Sequence, residues 1–272
     1  NKHGDKNAEK YTKAILDMFA KTAKVKQAKE APVDERFVGK EIVTEQPIHF
    51  SSQEIANIKK LVNELEKEPT KEQKEDLLDK SPRDIDLAMF GRMIAKRPDK
   101  NQEAAMQVAH AISINEVEIE PDFFTAVDDL NKHGSAHMGE QEFVSAVYYL
   151  YLCIDTEQLL KNLSNDKVLA EKAIKAVVES AAIIAPSGKQ NSYAHQAQPF
   201  YILAEKGNAQ PRNLSLAFLK PIKADDAEVA IEKLRNIKNK FNTAYTKPEA
   251  EKEMNLFGSG TLQEILDFVG TL

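Results

Sequence analysis

Five side chains that could bind a metal or transfer a proton lie within one stretch of the chain, DFFTAVDDLNKHGSAHMGEQEF, residues 122–143. They are Asp128, Asp129, His133, His137 and Glu140. Imidazole and carboxylate groups are ligands for zinc and other divalent cations, and the same groups act as general acids and bases. Whether these five could work together depends on their spacing.

A zinc site is the first chemistry that the spacing suggests, because His133 and His137 are four residues apart. In a helix of the H-E-x-x-H type, that spacing places both imidazoles on one face, with a glutamate between them as the base. Here the intervening residues are glycine, serine and alanine, and Gly134 and Gly139 flank the second histidine. These glycines indicate a loop, in which the helical geometry is lost. The pattern therefore predicts no metal site, and a metal-dependent nuclease or hydrolase that uses the Asp/His cluster of residues 128–140 is kept as the alternative function.

Acid–base catalysis would need two carboxylates that face each other. Asp128 and Asp129 are adjacent, so on a strand their side chains point to opposite faces and do not form a pair. Adjacent aspartates ahead of a glycine-containing loop are more typical of turns, where they bond nearby backbone groups. The sequence thus predicts no catalytic residues and no cofactor, that is, a protein that is not an enzyme.

The same stretch fits the end of a long hairpin. EVEIEPDFFTAV leads in and QEFVSAVYYLY leads out. The turn between them, of about a dozen residues, is longer than a tight hairpin needs, and loops of that length are usually functional. Phe124 and Val127 stand near its start, and a protruding arm with phenylalanine and threonine suits contact with nucleotide bases or wedging between them. The alternative, that Phe123 and Phe124 are both core residues, stays open at this point.

A second segment carries groups that could hold a phosphate. APSGKQNSY, residues 185–193, contains Lys189, Gln190 and Asn191 after its single glycine. It is too short for the P-loop pattern, which needs two glycines. A lysine beside exposed backbone amides can still hold one phosphate.

A glycine and an arginine follow a predicted strand in FGRM, residues 90–93. Glycine at such a place often marks the close approach of another backbone. We therefore expect Gly91 to lie against a neighbouring segment, and Arg92 is a candidate contact residue.

These segments must be positioned by the helices and strands around them. Apolar residues at helical spacing predict helices in AEKYTKAILDMFAKTAKVKQ, FSSQEIANIKKLVNELEKEP, TKEQKEDLLDK, NDKVLAEKAIKAVVESAAII, DDAEVAIEKLRNIKNKFNTAY and TLQEILDFVG. Ser51 or Ser52 caps the second helix, with Glu54 in the capping-box position, and Pro69 ends it. β-Branched, aromatic or alternating residues predict strands in RDIDLAMFGRM, AAMQVAHAISINEVEI, QEFVSAVYYLYLCI and QPFYILAEKG. Strands interleaved with helices, without glycine-rich βαβ turns, predict an α+β fold with an antiparallel sheet.

Composition narrows the class of protein. Of the 272 residues, 42% are hydrophobic and 29% are charged. The net charge is −6, which repels a nucleic acid overall, so a nucleic-acid partner would have to bind at a locally basic surface. No apolar run approaches the ~18 residues that cross a bilayer, and no signal peptide is evident, which predicts a cytoplasmic protein. One cysteine, Cys153 in YYLYLCI, excludes an internal disulfide framework and is expected to be a small buried hydrophobe.

Four linked motifs make the chain similar to a known family. They are DIDLAMFGRM, AMQVAHAISINEVEIEPDFFTAVDDL, GSAHMGEQEFVSAVYYLY and PSGKQNSYA. In this order and near the family's spacing, they resemble the CasC backbone subunit of type I-E CRISPR surveillance complexes, the Cascade assembly. The similarity spans most of residues 81–220, and the flanking helices resemble the family only in type and position.

The resemblance implies an RRM-like (ferredoxin-like) antiparallel palm, a helical fingers region and a thumb formed by the long hairpin. Residues 1–105 would form the mostly helical fingers region. Residues 106–114 and 148–272 would form the palm with its C-terminal helices, and residues 115–147 the thumb.

The resemblance also implies a non-catalytic function. Copies of the chain would stack head to tail along a CRISPR guide RNA, each thumb kinking the guide and flipping out a nucleotide, so that the guide is presented to target DNA. Other Cascade subunits would be partners, and no membrane is involved. By similarity, three thumb residues and one methionine of the fingers would cradle the displaced base. The expected RNA-binding residues are Arg92, Met93, Phe124, Thr125, Val127, Lys189, Gln190 and Asn191.

The chain departs from the family at its start. Family members begin with a palm strand and a basic Arg-Ile-Ser-Ser-Gln-like segment, followed by lysines that hold RNA phosphates, and this chain begins after that point. FSSQE, residues 50–54, shares letters with the segment but lacks its basic neighbours and lies in a helical context, so the two are not equivalent. We therefore expect a palm that lacks one strand and part of its phosphate contacts.

Overall fold

Helices alternate with short antiparallel strand pairs along the chain, so the predicted α+β class is confirmed. The structure is a computed structural model, and it describes residues 4–24, 42–44, 46–65, 67–75, 77–78, 83–126, 137–223 and 226–272. The chain forms two compact units. Unit 1 comprises Asn1–Gln107, Ile154–Val177 and Gly270–Leu272, and unit 2 comprises Val108–Cys153 and Val178–Val269.

Unit 1 is mainly helical. Its helices are α1 (Gly4–Leu16), α2 (Ser52–Glu64), α3 (Lys71–Glu75), α4 (Ile85–Phe90), α5 (Thr156–Asn162) and the larger part of α6 (Lys167–Ile183). Strands β1 (Thr22–Lys24) and β2 (Ile42–Thr44) form an antiparallel pair. A buried apolar cluster holds the unit together, formed by Ile15, Phe19, Leu77, Leu78 and Ile94.

The capping box predicted at the start of α2 is confirmed, with Ser51 as the N-cap. The Glu54 backbone N–H donates to Ser51 Oγ at 3.1 Å, and the Ser51 N–H donates to Glu54 Oε2 at 2.8 Å. The predicted end of this helix at Pro69 is wrong. The helix ends at Glu64, because Leu65 turns to an extended conformation and buries its side chain.

The strand predicted in RDIDLAMFGRM is also wrong, because this segment forms α4. The Asp84 carboxylate accepts hydrogen bonds from the backbone N–H groups of Asp86 and Leu87 and so caps a helix. Leu87, Ala88 and Met89 are all buried in succession, which an alternating strand with one solvent face does not allow. Over six residues, an apolar alternation does not distinguish a strand from a short helix.

The described residues of unit 2 form three antiparallel strand pairs and several helices. The pairs are β4 (Ile112–Ser113) with β7 (Tyr148–Tyr149), β5 (Glu120–Ala126) with β6 (His137–Phe143), and β9 (Tyr201–Lys206) with β10 (Ala250–Asn255). The helices are the end of α6, α7 (Gln190–Tyr193), α8 (Ala227–Ala244) and α9 (Leu262–Val269), with a 3₁₀ turn at Ser215–Phe218. Strands β3 (Met106–Val108) and β8 (Leu152–Ile154) lie where the chain passes from one unit to the other.

Two of the predicted strands are divided in the structure. AAMQVAHAISINEVEI contributes β3 and β4, and QEFVSAVYYLYLCI contributes the end of β6, then β7 and β8. The second division has a local cause: the Asn115 side chain accepts a hydrogen bond from the backbone N–H of Val147 at 2.8 Å. That bond takes a donor that a strand ladder would otherwise use. The strand predicted in QPFYILAEKG is confirmed as β9.

The long helices predicted in the second half of the chain are confirmed as α6, α8 and α9. Asp166 accepts a hydrogen bond from the Leu169 N–H at the start of α6. Thr261 and Glu264 exchange reciprocal capping bonds at the start of α9. Among the described residues, none of the helices has both the length and the apolar character needed to cross a lipid bilayer.

Candidate nucleic-acid interface

The two antiparallel strands of the predicted hairpin are confirmed as the ribbon of β5 and β6, in which Phe124 is opposite Gly139. Residues His137–Glu140, which the sequence places in the turn, belong to β6. Side chains alternate along each strand, so the ribbon has two faces. The Phe124 face carries Glu120, Asp122, Phe124, Ala126, His137, Gly139, Gln141 and Phe143. The Phe123 face carries Pro121, Phe123, Thr125, Met138, Glu140 and Glu142. The turn that joins the strands, with Val127, Asp128, Asp129 and His133, lies outside the described residues.

Both phenylalanines are open to solvent. Phe123 is 62% exposed and Phe124 is 39% exposed. The alternative that both are core residues of their own chain is therefore wrong. Exposed aromatic rings on a projecting ribbon are available to stack against a base or to contact another protein.

The Phe124 ring packs over the opposite strand at residue 139, which is a glycine and has no Cβ atom to meet the ring. A Cβ atom added at Gly139 would lie 2.9 Å from Cζ of Phe124. The imidazole of His137 is also close, with 5.6 Å between the two ring centroids. An aromatic side chain packed over a cross-strand glycine is held by that contact. The ring is therefore positioned before any partner arrives.

The loop that follows α6 packs onto the Phe124 face. Lys189 Nζ donates to Gln141 Oε1 at 3.1 Å, and the Gln141 amide donates to the Tyr193 hydroxyl. The Tyr193 ring meets the Phe143 ring edge to face, with 5.4 Å between centroids. The hairpin and the lysine-containing loop, which the sequence offered as separate candidates, thus form one surface.

This surface presents hydrogen-bond donors, aromatic rings and the carboxylates of Glu120 and Asp122 to solvent. Lys189, Gln190 and Asn191 are all exposed, and the last two begin the short helix α7. Lys189 has a left-handed backbone conformation with φ 60° and ψ 15°, which ends the turn before the helix. A flexible ammonium group beside aromatic rings suits a phosphate and its neighbouring base without reading sequence.

Met93, in unit 1, is exposed to solvent between two buried neighbours. Its side chain is 79% exposed, while Arg92 and Ile94 on either side are buried. The backbone groups of Arg92 and Gln102 exchange two hydrogen bonds of 2.9 Å, and the Ile94 N–H donates to Asn101 Oδ1. The backbone that carries the exposed methionine is therefore held in position.

Gly91 makes the close approach that the sequence predicted. It has φ 76°, and a Cβ atom there would lie 2.8 Å from the Gln102 carbonyl oxygen and 2.9 Å from the Ala104 nitrogen. The prediction of a close backbone neighbour at this glycine is confirmed, although the preceding element is α4 and not a strand.

Arg92 needs a correction as an RNA-binding candidate. Its side chain is 0% exposed, and its guanidinium donates to both carboxylate oxygens of Glu54, at 2.8 and 2.9 Å, and to the Lys100 carbonyl oxygen. A buried guanidinium that is paired with Glu54 cannot reach a phosphate. Arg92 instead joins α2 to the segment that carries Met93.

The described part of the Asp/His cluster does not converge on one point. His137 lies on the Phe124 face and Glu140 on the Phe123 face, because they are three residues apart on one strand. Asp128, Asp129 and His133 lie outside the described residues. Within the described ranges, no group of three or more His, Cys, Asp or Glu side chains is arranged to hold a metal ion.

Sequence reasoning missed four residues of this surface: His137 as a ring neighbour, Gly139, Gln141 and Tyr193. The first three lie on one face of β6, because side chains alternate along a strand. A glycine inside a strand often marks a close contact, so Gly139 was the residue from which the sequence could have predicted this packing. No sequence signal joined Tyr193 to Gln141, because the contact depends on how the loop after α6 packs against the ribbon.

Comparison with known proteins identifies the family. The family model described as CT1975-like protein matches residues 2–266. The chain belongs to the CT1975-like protein family. No curated protein matches the sequence of this family member.

Solved structures share the fold of this CT1975-like protein. A chain of "CRISPR RNA-guided surveillance complex, pre-nicking" has a TM-score of 0.74 and 21% sequence identity, covering 94% of this chain and 76% of that chain. A chain of "CRISPR RNA-guided surveillance complex" has a TM-score of 0.61 and 25% identity, covering 68% of this chain and 77% of that chain. The fold is therefore that of subunits of such complexes.

Proposed function

We propose that this CT1975-like protein is a non-catalytic, CRISPR guide RNA-binding backbone subunit of a surveillance complex of the Cascade type. Its family and its similarity to chains of CRISPR RNA-guided surveillance complexes support this function. The finer assignment, to the CasC backbone subunit of a type I-E complex in the cytoplasm, is part of the same proposal. Its support is the order and spacing of the four sequence motifs.

One observation carries the proposal: an exposed lysine is hydrogen-bonded to the same ribbon face that carries an exposed aromatic ring. Phe124 is held over Gly139, and Lys189 is held by Gln141, two residues further along the same strand face. A fixed ring next to a cation is the arrangement with which proteins bind single-stranded nucleic acid of any sequence. A guide-binding subunit needs this tolerance, because base pairing supplies the specificity.

The ribbon is proposed to act as a wedge that enters between two nucleotides of the guide. Phe124 and Thr125 lie on opposite faces, so each would contact the nucleotide on its own side. Inserted apolar side chains unstack neighbouring bases and kink the strand. Met93 would contact the displaced base from the fingers, with Val127 beyond Thr125 on the thumb. Lys189, Gln190 and Asn191 would hold the adjacent phosphate.

In this proposal residues 1–105 supply the fingers, residues 106–114 and 148–272 supply an RRM-like palm with its C-terminal helices, and residues 115–147 supply the thumb. Copies would stack head to tail along the guide and hold it for pairing with target DNA, together with other subunits. The rival hydrolase gains no support from the described residues, since His137 and Glu140 lie on opposite faces.

The experiment that tests the proposal is binding of the purified full chain to a fluorescently labelled, unstructured single-stranded RNA. We expect binding with similar affinity for unrelated sequences, a steep fall with salt, and a regular series of protein copies on longer RNA. RNA cleavage in magnesium or manganese, or no binding at low salt, would overturn it. Metal analysis of the purified protein separates the hydrolase from the binding protein.

A further inference from the structure

An open groove in unit 2 lies between the 3₁₀ turn Ser215–Phe218 and α8. Its volume is about 350 Å³, near the lower end of the roughly 300–1,000 Å³ of ligand pockets, so it holds a few side chains and not the face of a domain. None of its described lining residues belongs to β5, β6 or α7. The residues that define this lysine groove are Leu216, Leu219, Lys220, Lys233, Ile237 and Lys240.

The floor of the lysine groove is aliphatic and open to solvent. Leu219 is 77% exposed and Leu216 is 46% exposed. Exposed leucines that line a concave surface with polar edges are typical of a site that binds another molecule. No aromatic ring is among the described lining residues, whereas RNA bases bind by stacking on aromatic rings. The floor therefore favours a protein segment with aliphatic side chains over a nucleic acid.

The edges of the lysine groove are basic. Lys220, Lys233 and Lys240 form no ion pair with a carboxylate among the residues that the structure describes. Lys233 Nζ donates to the Lys220 carbonyl oxygen at 3.3 Å, which places its charge beside the turn. The carboxylates of Glu228 and Glu232, on the same helix, are not among the lining residues. Three lysines without carboxylate partners around one groove give a local positive potential, which attracts an acidic partner.

We propose that the lysine groove binds an acidic, amphipathic helix of a partner protein. Lys233 and Lys240 are seven residues apart on α8, so they lie on one side of it, about 10 Å apart. Carboxylates at positions i and i+7 of a partner helix have the same separation. On one face of a strand, side chains are about 7 or 13 Å apart, so an extended segment fits the two lysines less well. The spacing therefore selects a helix that lies along α8.

The residues between the two carboxylates of the partner helix are aliphatic. Side chains at i+3 and i+4 lie on the same side of a helix as those at i and i+7, and here they contact Leu219 and Ile237. The recognised pattern is thus E-x-x-L-L-x-x-E, in which aspartate can replace glutamate and isoleucine can replace leucine. The contact is small compared with the roughly 1,200–2,000 Å² buried by stable interfaces, so it is weak and salt-sensitive. It goes beyond the proposed RNA binding and does not depend on it.

Methyl NMR of the full chain, with labelled leucine and isoleucine, tests the binding. The probe is a synthetic alanine-rich helical peptide, blocked at both ends, with Glu-Ala-Ala-Leu-Leu-Ala-Ala-Glu at its centre. We expect the methyl signals of Leu216, Leu219 and Ile237 to shift as the peptide is added, and the affinity to fall with salt. A control peptide with lysine in place of both glutamates should leave these signals unchanged. No shift with the acidic peptide, or equal shifts with both peptides, would overturn the inference.

Charge reversal locates the contact. The groove variant Lys233→Glu/Lys240→Glu should bind the acidic peptide about 10-fold or more weakly and should bind the lysine peptide instead, because the charges are exchanged. Binding of the lysine peptide also shows that the variant is folded. Lys172→Glu, on an exposed part of α6, is the control for a change of net charge and should bind the acidic peptide as the wild type does. If the groove variant keeps its affinity for the acidic peptide, the peptide binds elsewhere and the inference is wrong.

Two other occupants of the groove are tested with the same variants. Affinity for an unstructured single-stranded RNA and self-association in sedimentation velocity are measured for the wild type, the groove variant and Lys172→Glu. If the groove variant alone loses about 10-fold or more in either, the groove is a surface for RNA or for a second copy of the chain, and the inference is wrong. If the peptides exchange as expected and the chain binds no RNA, the inference stands and the proposed function fails.

Discussion

Lys189 donates a hydrogen bond to Gln141 at 3.1 Å, and this contact joins two segments that are 48 residues apart in the chain. Gln141 in turn donates to Tyr193, so one amide on β6 anchors both ends of the exposed turn. The Phe124 ring lies on the same ribbon face. The proposed RNA surface is therefore built by contacts to a single strand, β6.

Lys189→Ala should weaken RNA binding and lower its salt dependence. Each lysine that contacts a phosphate releases about one counterion, so the slope of log K against log salt should fall by about 1. Equilibrium titration of labelled RNA at several salt concentrations measures the slope. Lys172→Ala, an exposed lysine in α6, is the matched control. An unchanged slope for Lys189→Ala would remove this lysine from the phosphate contacts.

Phe124→Ala should affect the assembled state more than the first encounter with RNA. Encounter is electrostatic, whereas the ring acts only once the ribbon is between bases. We expect an association rate within about 2-fold of wild type and a dissociation rate raised about 10-fold, since stacking on one base contributes about 1–3 kcal/mol. Stopped-flow binding with a 2-aminopurine-labelled RNA reports both rates and base exposure. Phe124→Tyr, which keeps a ring, should restore them.

Gly139→Ala should displace the Phe124 ring, although Phe124 itself is not mutated. The new Cβ atom would lie 2.9 Å from Cζ of the ring, so the ring must move off the strand. The predicted loss of RNA affinity is of the same order as for Phe124→Ala. In the double variant Phe124→Ala/Gly139→Ala the two losses should not add, because the second residue acts through the first. Additive losses would show that Gly139 matters for another reason.

Arg92→Met should destabilise unit 1 strongly. Removing one member of a buried ion pair leaves the other charge unpaired and costs about 3–5 kcal/mol, and both the Arg92 and Glu54 side chains are buried. Urea unfolding followed by circular dichroism measures the loss. Arg97→Met breaks the more exposed pair with Asp99 and should cost less than about 1 kcal/mol. Similar losses for both variants would contradict the structural role assigned to Arg92.

Acid should weaken unit 2 through Glu253. Burial would raise the pKa of this carboxyl, but Arg235 and Lys238, at 2.6 and 2.9 Å, outweigh it and hold the pKa below the ordinary 4.5. Its ionisation therefore stabilises the folded chain above pH 4.5, and this contribution is lost as the pH falls below that value. We expect the free energy of unfolding of Glu253→Gln to depend less on pH between about 5 and 3 than that of the wild type. Denaturant titrations across this range, with Glu75→Gln at the exposed ion pair with Lys71 as control, measure the difference.

Local patterns were sufficient for the helix starts and for the hairpin. Ser51 with Glu54 and Thr261 with Glu264 are capping contacts between residues three apart, so neighbouring letters specify them. The hairpin followed from strand-forming runs on both sides of a turn region. The local pattern gave the wrong element at α4. An alternation of apolar residues over six positions is compatible with a strand or a short helix, and packing selects the helix.

What the sequence determined by itself is most of the helices, the strands of the hairpin and the family, because those depend on residues close together in the chain. Only the tertiary structure decided that Arg92 is buried against Glu54, 38 residues away, and that Lys189 meets the strand of Gly139 and Gln141. It also decided which residues share a face of the ribbon, since a one-residue shift in register would exchange Phe124 for Phe123. Burial and register are set by the free energy of packing distant segments together, which no local pattern encodes.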